Sequence, residues 1–295
     1  MKRSIVIIAL ITMFVVGDAN SQDFIQIKGS DTLINLVQRL AEVYMEKNPN
    51  TAIAVTGGGS GVGIATLIAN RIQIADASRE MRDKEMDAAK KNGVVPYKII
   101  IGIDGLSVTV NGSNAIKSLT VDQIGAIFRG EITNWKDVGG PDRTISLYGR
   151  QANSGTYDFF QEYVLGNRNY FPKMKQMNGN AQIVESIIND KAGIGYVGIG
   201  YVVDDSGNVR KGLRVLDVAK DAGSKPVTPL NAENVKSGKY PISRPLYQYT
   251  NGKPKGTVKE FIAFELGPEG QKIVEEMSFY PVSGAYLEQN KKAGF

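Results

Sequence analysis

Ala52-Ile53-Ala54-Val55 is followed by Gly57-Gly58-Gly59-Ser60-Gly61-Val62-Gly63 and then by Ile64, Leu67 and Ile68 at helical spacing. A short apolar run, a glycine-rich turn and an amphipathic run make a strand–loop–helix unit. The same design occurs twice more. Phe24-Ile25-Gln26-Ile27 leads through Gly29-Ser30-Asp31-Thr32 into Leu33, Leu36, Val37, Leu40, Ala41 and Tyr44, a helix that must stop before Pro49. A strand over Thr144 to Tyr148 leads through Arg150-Gln151-Ala152-Asn153-Ser154-Gly155-Thr156 into a helix at Tyr157 to Val164. Strands alternating with helices predict an α/β fold whose largely parallel sheets are covered on both faces.

The rest of the chain extends the pattern. Ile72-Gln73-Ile74-Ala75, Tyr97 to Ile103 and Leu106 to Val110 read as strands, with a polar helix at Asp83 to Lys91. The alternation then restarts with a helix at Val121 to Phe128, a helix at Ala181 to Asn189 and a strand at Ile194-Gly195-Tyr196-Val197. Asp204 to Lys239 is polar, contains Pro226 and Pro229, and reads as irregular. Leu246 to Tyr249 reads as a strand, and Val258 to Leu266 and Gly270 to Met277 as helices. A chain of 295 residues is long for one core and suits two. Two lobes are expected, one from residues 22–106 plus 246–295 and the other from 107–245. The chain crosses near Ile103 to Asn111 and returns near Pro241 to Thr250, which makes two hinge strands.

The amino terminus reads as an export signal over residues 1–21. Lys2 and Arg3 precede an apolar run from Ile5 to Val16, and Gly17-Asp18-Ala19 supplies small residues near a cleavage point. The run falls short of the roughly 20 residues a membrane span needs. The expected location is therefore periplasmic, as a soluble and monomeric protein.

Composition narrows the chemistry. The chain has no His and no Cys. Ser-His-Asp and Cys-His nucleophilic sites are impossible, and the common zinc sites are gone. No disulfide and no lipidated cysteine exist. Catalysis by general acid and base would fall to Asp, Glu, Lys or Tyr. The balance moves toward binding, with no enzyme activity, metal or cofactor expected. A net charge of +5 suits an anionic ligand. No Lys/Arg stripe with interleaved aromatics occurs, so nucleic acid is not an expected partner.

The three loops are ordinary helix caps when taken singly. Together they suggest more. The first turn of a helix carries unpaired N–H groups and partial positive charge, and glycine admits a ligand close to the backbone. Parallel sheets bind ligands at the carboxyl ends of their strands, where all three loops fall. Residues 57–63 lack the Lys-Ser/Thr of a nucleotide P-loop, and Val62 stands where a nucleophile elbow around Ser60 needs Gly. Arg150 ends a strand just before the third loop, and a guanidinium forks onto two oxygens of a tetrahedral anion. Arg79, after Ala75-Asp76-Ala77-Ser78, is a second candidate. A carboxylate in such a site accepts a hydrogen bond from a protonated oxyanion and repels a fully ionised one. Asp104 is the first choice for that role, with Asp76 and Asp31 as alternatives. Trp135, the only Trp, is expected to be structural.

Several segments carry a family resemblance. They are Gly29 to Thr32, Gly57 to Gly63, Ala75 to Glu80, Ile127 to Trp135, Arg150 to Thr156, Gly193 to Val197 and Leu266 to Gln271. In this order and spacing they resemble the phosphate-binding proteins of bacterial phosphate ABC importers, from about Ile25 to Ser283. The resemblance implies a two-lobed class II periplasmic-binding-protein fold that holds inorganic phosphate in a dry cleft and docks on an ABC permease. It implies contacts from Ser30, Thr32 and Leu33 in the first loop and from Ser60 and Gly61 in the second. Arg150, Ser154, Gly155 and Thr156 supply the third. Some members carry a binding Asp just after the third strand, where this chain has Ser78-Arg79. Those two residues are then expected at the anion, and Asp104 or Asp76 supplies the acceptor. Sulfate or molybdate capture, or phosphate sensing without transport, are the alternatives.

Overall fold

The computed structural model describes residues 23–204 and 206–295. The expected signal at 1–21 lies outside them. The first half runs β1 (Asp23–Gly29), α1 (Ile34–Lys47), β2 (Thr51–Thr56), α2 (Ser60–Ile68), β3 (Ile74–Ala77), α3 (Asp83–Lys91), β4 (Pro96–Gly105) and β5 (Ser107–Asn111). Next come β6 (Ser118–Thr120), α4 (Val121–Arg129), β7 (Ser146–Arg150), α5 (Gly155–Tyr163), β8 (Lys175–Met177), α6 (Asn180–Asn189) and β9 (Gly193–Val197). The chain ends with β10 (Leu213–Val215), β11 (Asp217–Ala219), α7 (Ala232–Lys236), β12 (Ser243–Asn251), α8 (Gly256–Leu266), α9 (Pro268–Glu276) and α10 (Gly284–Ala293).

Two five-stranded sheets result, ordered β2-β1-β3-β12-β4 and β10-β5-β9-β7-β8. In the first, β1 runs parallel to β2 and β3, and β12 runs antiparallel to β3 and β4. In the second, β7 runs parallel to β8 and β9, and β5 is antiparallel to β9 and β10. The chain passes from one sheet to the other at the buried Leu106, between β4 and β5, and returns in β12. β4 and β12 pair along their length, from Ser243↔Gly105 to Asn251↔Pro96. The two crossing segments are thus neighbours, as a hinge requires. This is the two-lobed α/β fold expected, but the sheets are mixed rather than largely parallel: two of the four pairings in each are antiparallel, because β12 and β5 run against their neighbours.

Local chemistry explains the elements. Leu36, Val37, Leu40, Ala41, Val43 and Tyr44 bury one side of α1 against the sheet. Thr120 caps α4 through Gln123 in a reciprocal box, and Gly130 closes the helix in the left-handed conformation. Trp135 is fully buried and donates from its indole nitrogen to the Ala192 carbonyl (3.0 Å), a structural role. The polar stretch 204–239 is less irregular than expected. It holds β10, β11 and α7, whose three- to five-residue lengths are too short to show a period. The helix α10 was also not foreseen, because its face is mostly exposed and polar.

Candidate functional site

The carboxyl ends of β1, β2, β3, β7 and β9 face one another between the sheets, and each delivers a polar group there. Ser60 opens α2, and Gly155 opens α5 behind its cap Ser154. Amides at these first-turn positions have no acceptor within their own helix. The Ser154 hydroxyl accepts from the amides of Thr156 (3.2 Å) and Tyr157 (3.4 Å). A Cβ on Gly155 would lie 2.4 Å from Ser60 Oγ and 2.8 Å from Ser78 Oγ, so only glycine lets α5 come this close.

Four hydroxyls from four loops meet here. Thr32 Oγ1 and Thr156 Oγ1 are 2.9 Å apart, Ser78 Oγ lies 3.4 Å from Thr156 Oγ1, and Ser60 Oγ lies 3.3 Å from Ser78 Oγ. All four residues are buried. Thr32, Ser60 and Ser78 come from loops of the first sheet, and Thr156 comes from the second.

Arg150 is wholly buried at the end of β7. Its Nη2 donates to Asp31 Oδ2 and to the Asn178 carbonyl (2.8 Å). Its Nε and Nη1 have no partner. Asp31 is held in turn by the Gly58 amide (2.8 Å) on its Oδ1. The Asp31 carbonyl accepts from the Tyr201 hydroxyl. Burial, followed by the nearby Asp31 charge, pushes that phenol up to about 12.

Asp104 is also wholly buried. Its Oδ1 accepts from the Ile199 amide (3.0 Å), and its Oδ2 accepts from Arg244 Nε (3.1 Å) and Nη2 (2.9 Å). Arg244 Nη2 also donates to Thr156 Oγ1 (2.9 Å), and Nη1 donates to the Ser78 carbonyl (2.9 Å). Burial pulls the Arg244 guanidinium down, Asp104 opposes this, and the charge of Arg150 adds to it. The site therefore joins two Arg–Asp pairs to a ring of hydroxyls and two helix starts. On its outer side it opens into a cavity of about 570 Å³ lined by Ser78, Arg79, Arg82, Asp158, Phe159 and Arg244.

Of the residues expected at the anion, Thr32, Ser60, Ser78, Asp104, Arg150, Ser154, Gly155 and Thr156 come together here. Ser30 shapes the loop: its hydroxyl accepts from the Thr32 amide (3.2 Å). Three residues differ from expectation. Leu33 is buried in the core and its amide donates to the Ser30 carbonyl (3.1 Å). The Gly61 amide donates across the cleft to the Asn153 carbonyl (3.1 Å). Arg79 spends its donors elsewhere: Nε on Asp158 Oδ2 (2.7 Å), Nη1 and Nη2 on Glu85 (2.7 and 2.8 Å), and Nη1 again on the Glu80 carbonyl. The nearby acids outcompete a ligand for it. Arg82 also pairs with Asp158, so α5 is tied to the opposite lobe by two cations. Asp76 is buried beside Gln248 and Glu265 rather than in the hydroxyl ring. Arg244, Asn153 and Asn178 were missed. The available signal for Arg244 was a charged residue at the mouth of an apolar hinge strand.

Among the described residues, no cluster of three or more His, Cys, Asp or Glu side chains is placed to hold a metal ion. Donors converging from two lobes define a two-lobed, anion-accepting binder of the class II periplasmic-binding-protein fold. The particular family follows from comparison. A family model described as a PBP superfamily domain matches residues 15–269. The phosphate-binding protein PstS of Pseudomonas aeruginosa is 31% identical over 278 residues, covering 88% of this chain and 84% of its own. PstS of Bacillus subtilis is 32% identical over 269 residues, covering 90% and 83%. A candidate phosphate ABC transporter substrate-binding protein from Clostridium perfringens, solved with bound phosphate, superposes with a TM-score of 0.77 at 28% identity, covering 88% of this chain and 100% of its own. The chain belongs to the PBP superfamily, in the family of the PstS phosphate-binding proteins.

Proposed function

We propose that this chain captures inorganic phosphate between its lobes, outside the cytoplasm, and delivers it to an ABC-type importer in the membrane. The observation that carries this reading is Arg150. A wholly buried guanidinium with Nε and Nη1 unpaired is costly unless an acceptor arrives. Asp31 and the Asn178 carbonyl engage only its Nη2. A tetrahedral oxyanion supplies the missing acceptors.

In this reading, Arg150 takes two anion oxygens, the hydroxyls of Thr32, Ser60, Ser78 and Thr156 take others, and the amides of Ser60 and Gly155 complete the ring. Asp104 accepts the proton that phosphate retains near neutral pH and disfavours fully ionised sulfate or molybdate. The lobes, residues 22–106 with 246–295 against 107–245, close about β4 and β12. Micromolar capture needs about 8 kcal/mol. Hydrogen bonds to a charged ligand contribute about 1.5–3 kcal/mol each, so a handful suffices before ordering costs.

The reading makes the chain an exported monomer that binds without turnover. Calorimetry against phosphate and sulfate tests it. Micromolar or tighter phosphate binding is expected, with sulfate at least a hundredfold weaker. No heat at millimolar phosphate, or equal affinity for both anions, overturns it.

A further inference from the structure

Arg244 sits at the second residue of β12, directly opposite Asp104 of β4 in the strand register. It is 2% exposed. Its contacts reach in two directions. Asp104 Oδ2 and the Ser78 carbonyl belong to the first lobe, while Thr156 Oγ1 and the Phe159 ring, whose centroid lies 5.1 Å from the guanidinium carbon, belong to α5 of the second. A residue of the returning hinge strand therefore grips the first turn of the helix on the far side of the cleft.

The chemistry of this grip is directional. A guanidinium only donates. Thr156 Oγ1 must therefore accept from Arg244, and its single hydrogen is left to point elsewhere. The neighbouring polar atoms are Thr32 Oγ1 at 2.9 Å and Ser78 Oγ at 3.4 Å, the ring of hydroxyls around the cleft. Without Arg244, the Thr156 hydroxyl is free to rotate and to present a lone pair to the cleft. The same guanidinium meets Asp104 with two hydrogen bonds on Oδ2, which fixes the rotation of the carboxylate.

We propose that Arg244 is a positioning residue for oxyanion selection, fixing the Thr156 hydroxyl as a donor toward the bound anion while holding Asp104 in place as its acceptor. Arg244 acts through these two groups and touches no ligand itself. The proposal rests on the reading of the cleft as an oxyanion site. It gives the hinge strand a part in specificity as well as in motion.

A double-mutant cycle tests it, with inorganic phosphate and sulfate as the titrants and thermal unfolding as the check on folding. Arg244→Gln leaves the Asp104 charge buried and unpaired, so Arg244→Lys, which keeps a cation beside Asp104 but not the fork onto Thr156, replaces it in the cycle if the Gln variant unfolds. Arg244→Gln and Thr156→Val are each expected to weaken phosphate binding at least tenfold. The double variant is expected to be no more than about threefold weaker than the poorer single, because both remove one device. Thr156→Ser, which keeps the hydroxyl, is expected to restore most of the affinity in the wild-type background and none in the Arg244→Gln background. Phosphate losses that multiply in the double variant, or Thr156→Ser rescue that is independent of Arg244, overturn the proposal. Wild-type protein that binds no phosphate in the same titration removes the reading of the site and this proposal with it.

Discussion

Among the described residues, two regions bury ionisable side chains that keep unpartnered atoms, and they differ in sign. In the cleft the group is a cation, Arg150, whose donors Nε and Nη1 are unpaired. Beneath the first sheet the groups are carboxyls, Asp76 with Oδ1 unpaired and Glu265 with Oε2 unpaired, beside the unpaired amide oxygen of Gln248. Orphaned donors on a permanent cation call for an incoming anion. Orphaned acceptors on carboxyl groups are answered more simply, by protons. Gln248 donates to Glu265 Oε1 (3.1 Å), and an amide, unlike a guanidinium, brings no charge. Burial accordingly pushes the Asp76 carboxyl up to about 8, partly offset by its bond to Gln248. Glu265 is raised by burial and by the proximity of Asp76. One region is built for a ligand and the other is a proton-bearing piece of core.

The largest expected effect tests the proton side of this contrast. The folded-state value for Asp76 lies above its unfolded one, so its contribution is intact below about pH 4 and is lost as pH rises to about 8. The loss across that window is on the order of 5 kcal/mol. Asp76→Asn is expected to flatten the decline, leaving the share due to Glu265. Urea unfolding at several pH values measures it, and an unchanged slope means that Asp76 is ionised in the native core.

Next in size is the donor side. Arg150→Gln is expected to weaken phosphate binding a hundredfold or more, about 2.7 kcal/mol, with Arg150→Lys recovering part because it restores charge without the fork. Calorimetry decides, and unchanged affinity removes Arg150 from the anion. The smallest effect concerns Arg79, a third kind of buried polar group whose donors are already satisfied. Asp158→Asn cuts the tie between α5 and the opposite lobe. It is expected to speed phosphate release a few-fold, with less dependence on salt than the wild type. Stopped-flow displacement measures this, and a loss as large as that of Arg150→Gln would place Arg79 and Asp158 at the ligand.

Much of this was legible in the sequence. The strand–loop–helix units at Gly29, Gly57 and Arg150 stood out because periodicity and glycine act locally, and they carried most of the site with them. What stayed hidden depends on partners distant in the chain. Arg150 ends a strand and Arg79 lies just past one, yet Glu85 and Asp158 claim Arg79 while Arg150 stays partly free. Asp76 and Asp104 are both buried acids, and only the pairing of β12 shows that one meets Arg244 and the other meets Gln248. The short strands β10 and β11 escaped for a different reason, since three residues do not make a pattern.

The jaws also meet through main chain. Gly61 N donates to the Asn153 carbonyl, and Asn153 Nδ2 donates to the Gly58 carbonyl (2.9 Å). Gly59, at φ +90°, lies so near that a methyl group there would stand 2.5 Å from the Asn153 oxygen. Truncating side chains one at a time leaves the Gly61–Asn153 contact untouched. The handle on it is addition: a single methyl at position 59 wedges the mouth ajar, and would turn a trap into a protein arrested before its bite.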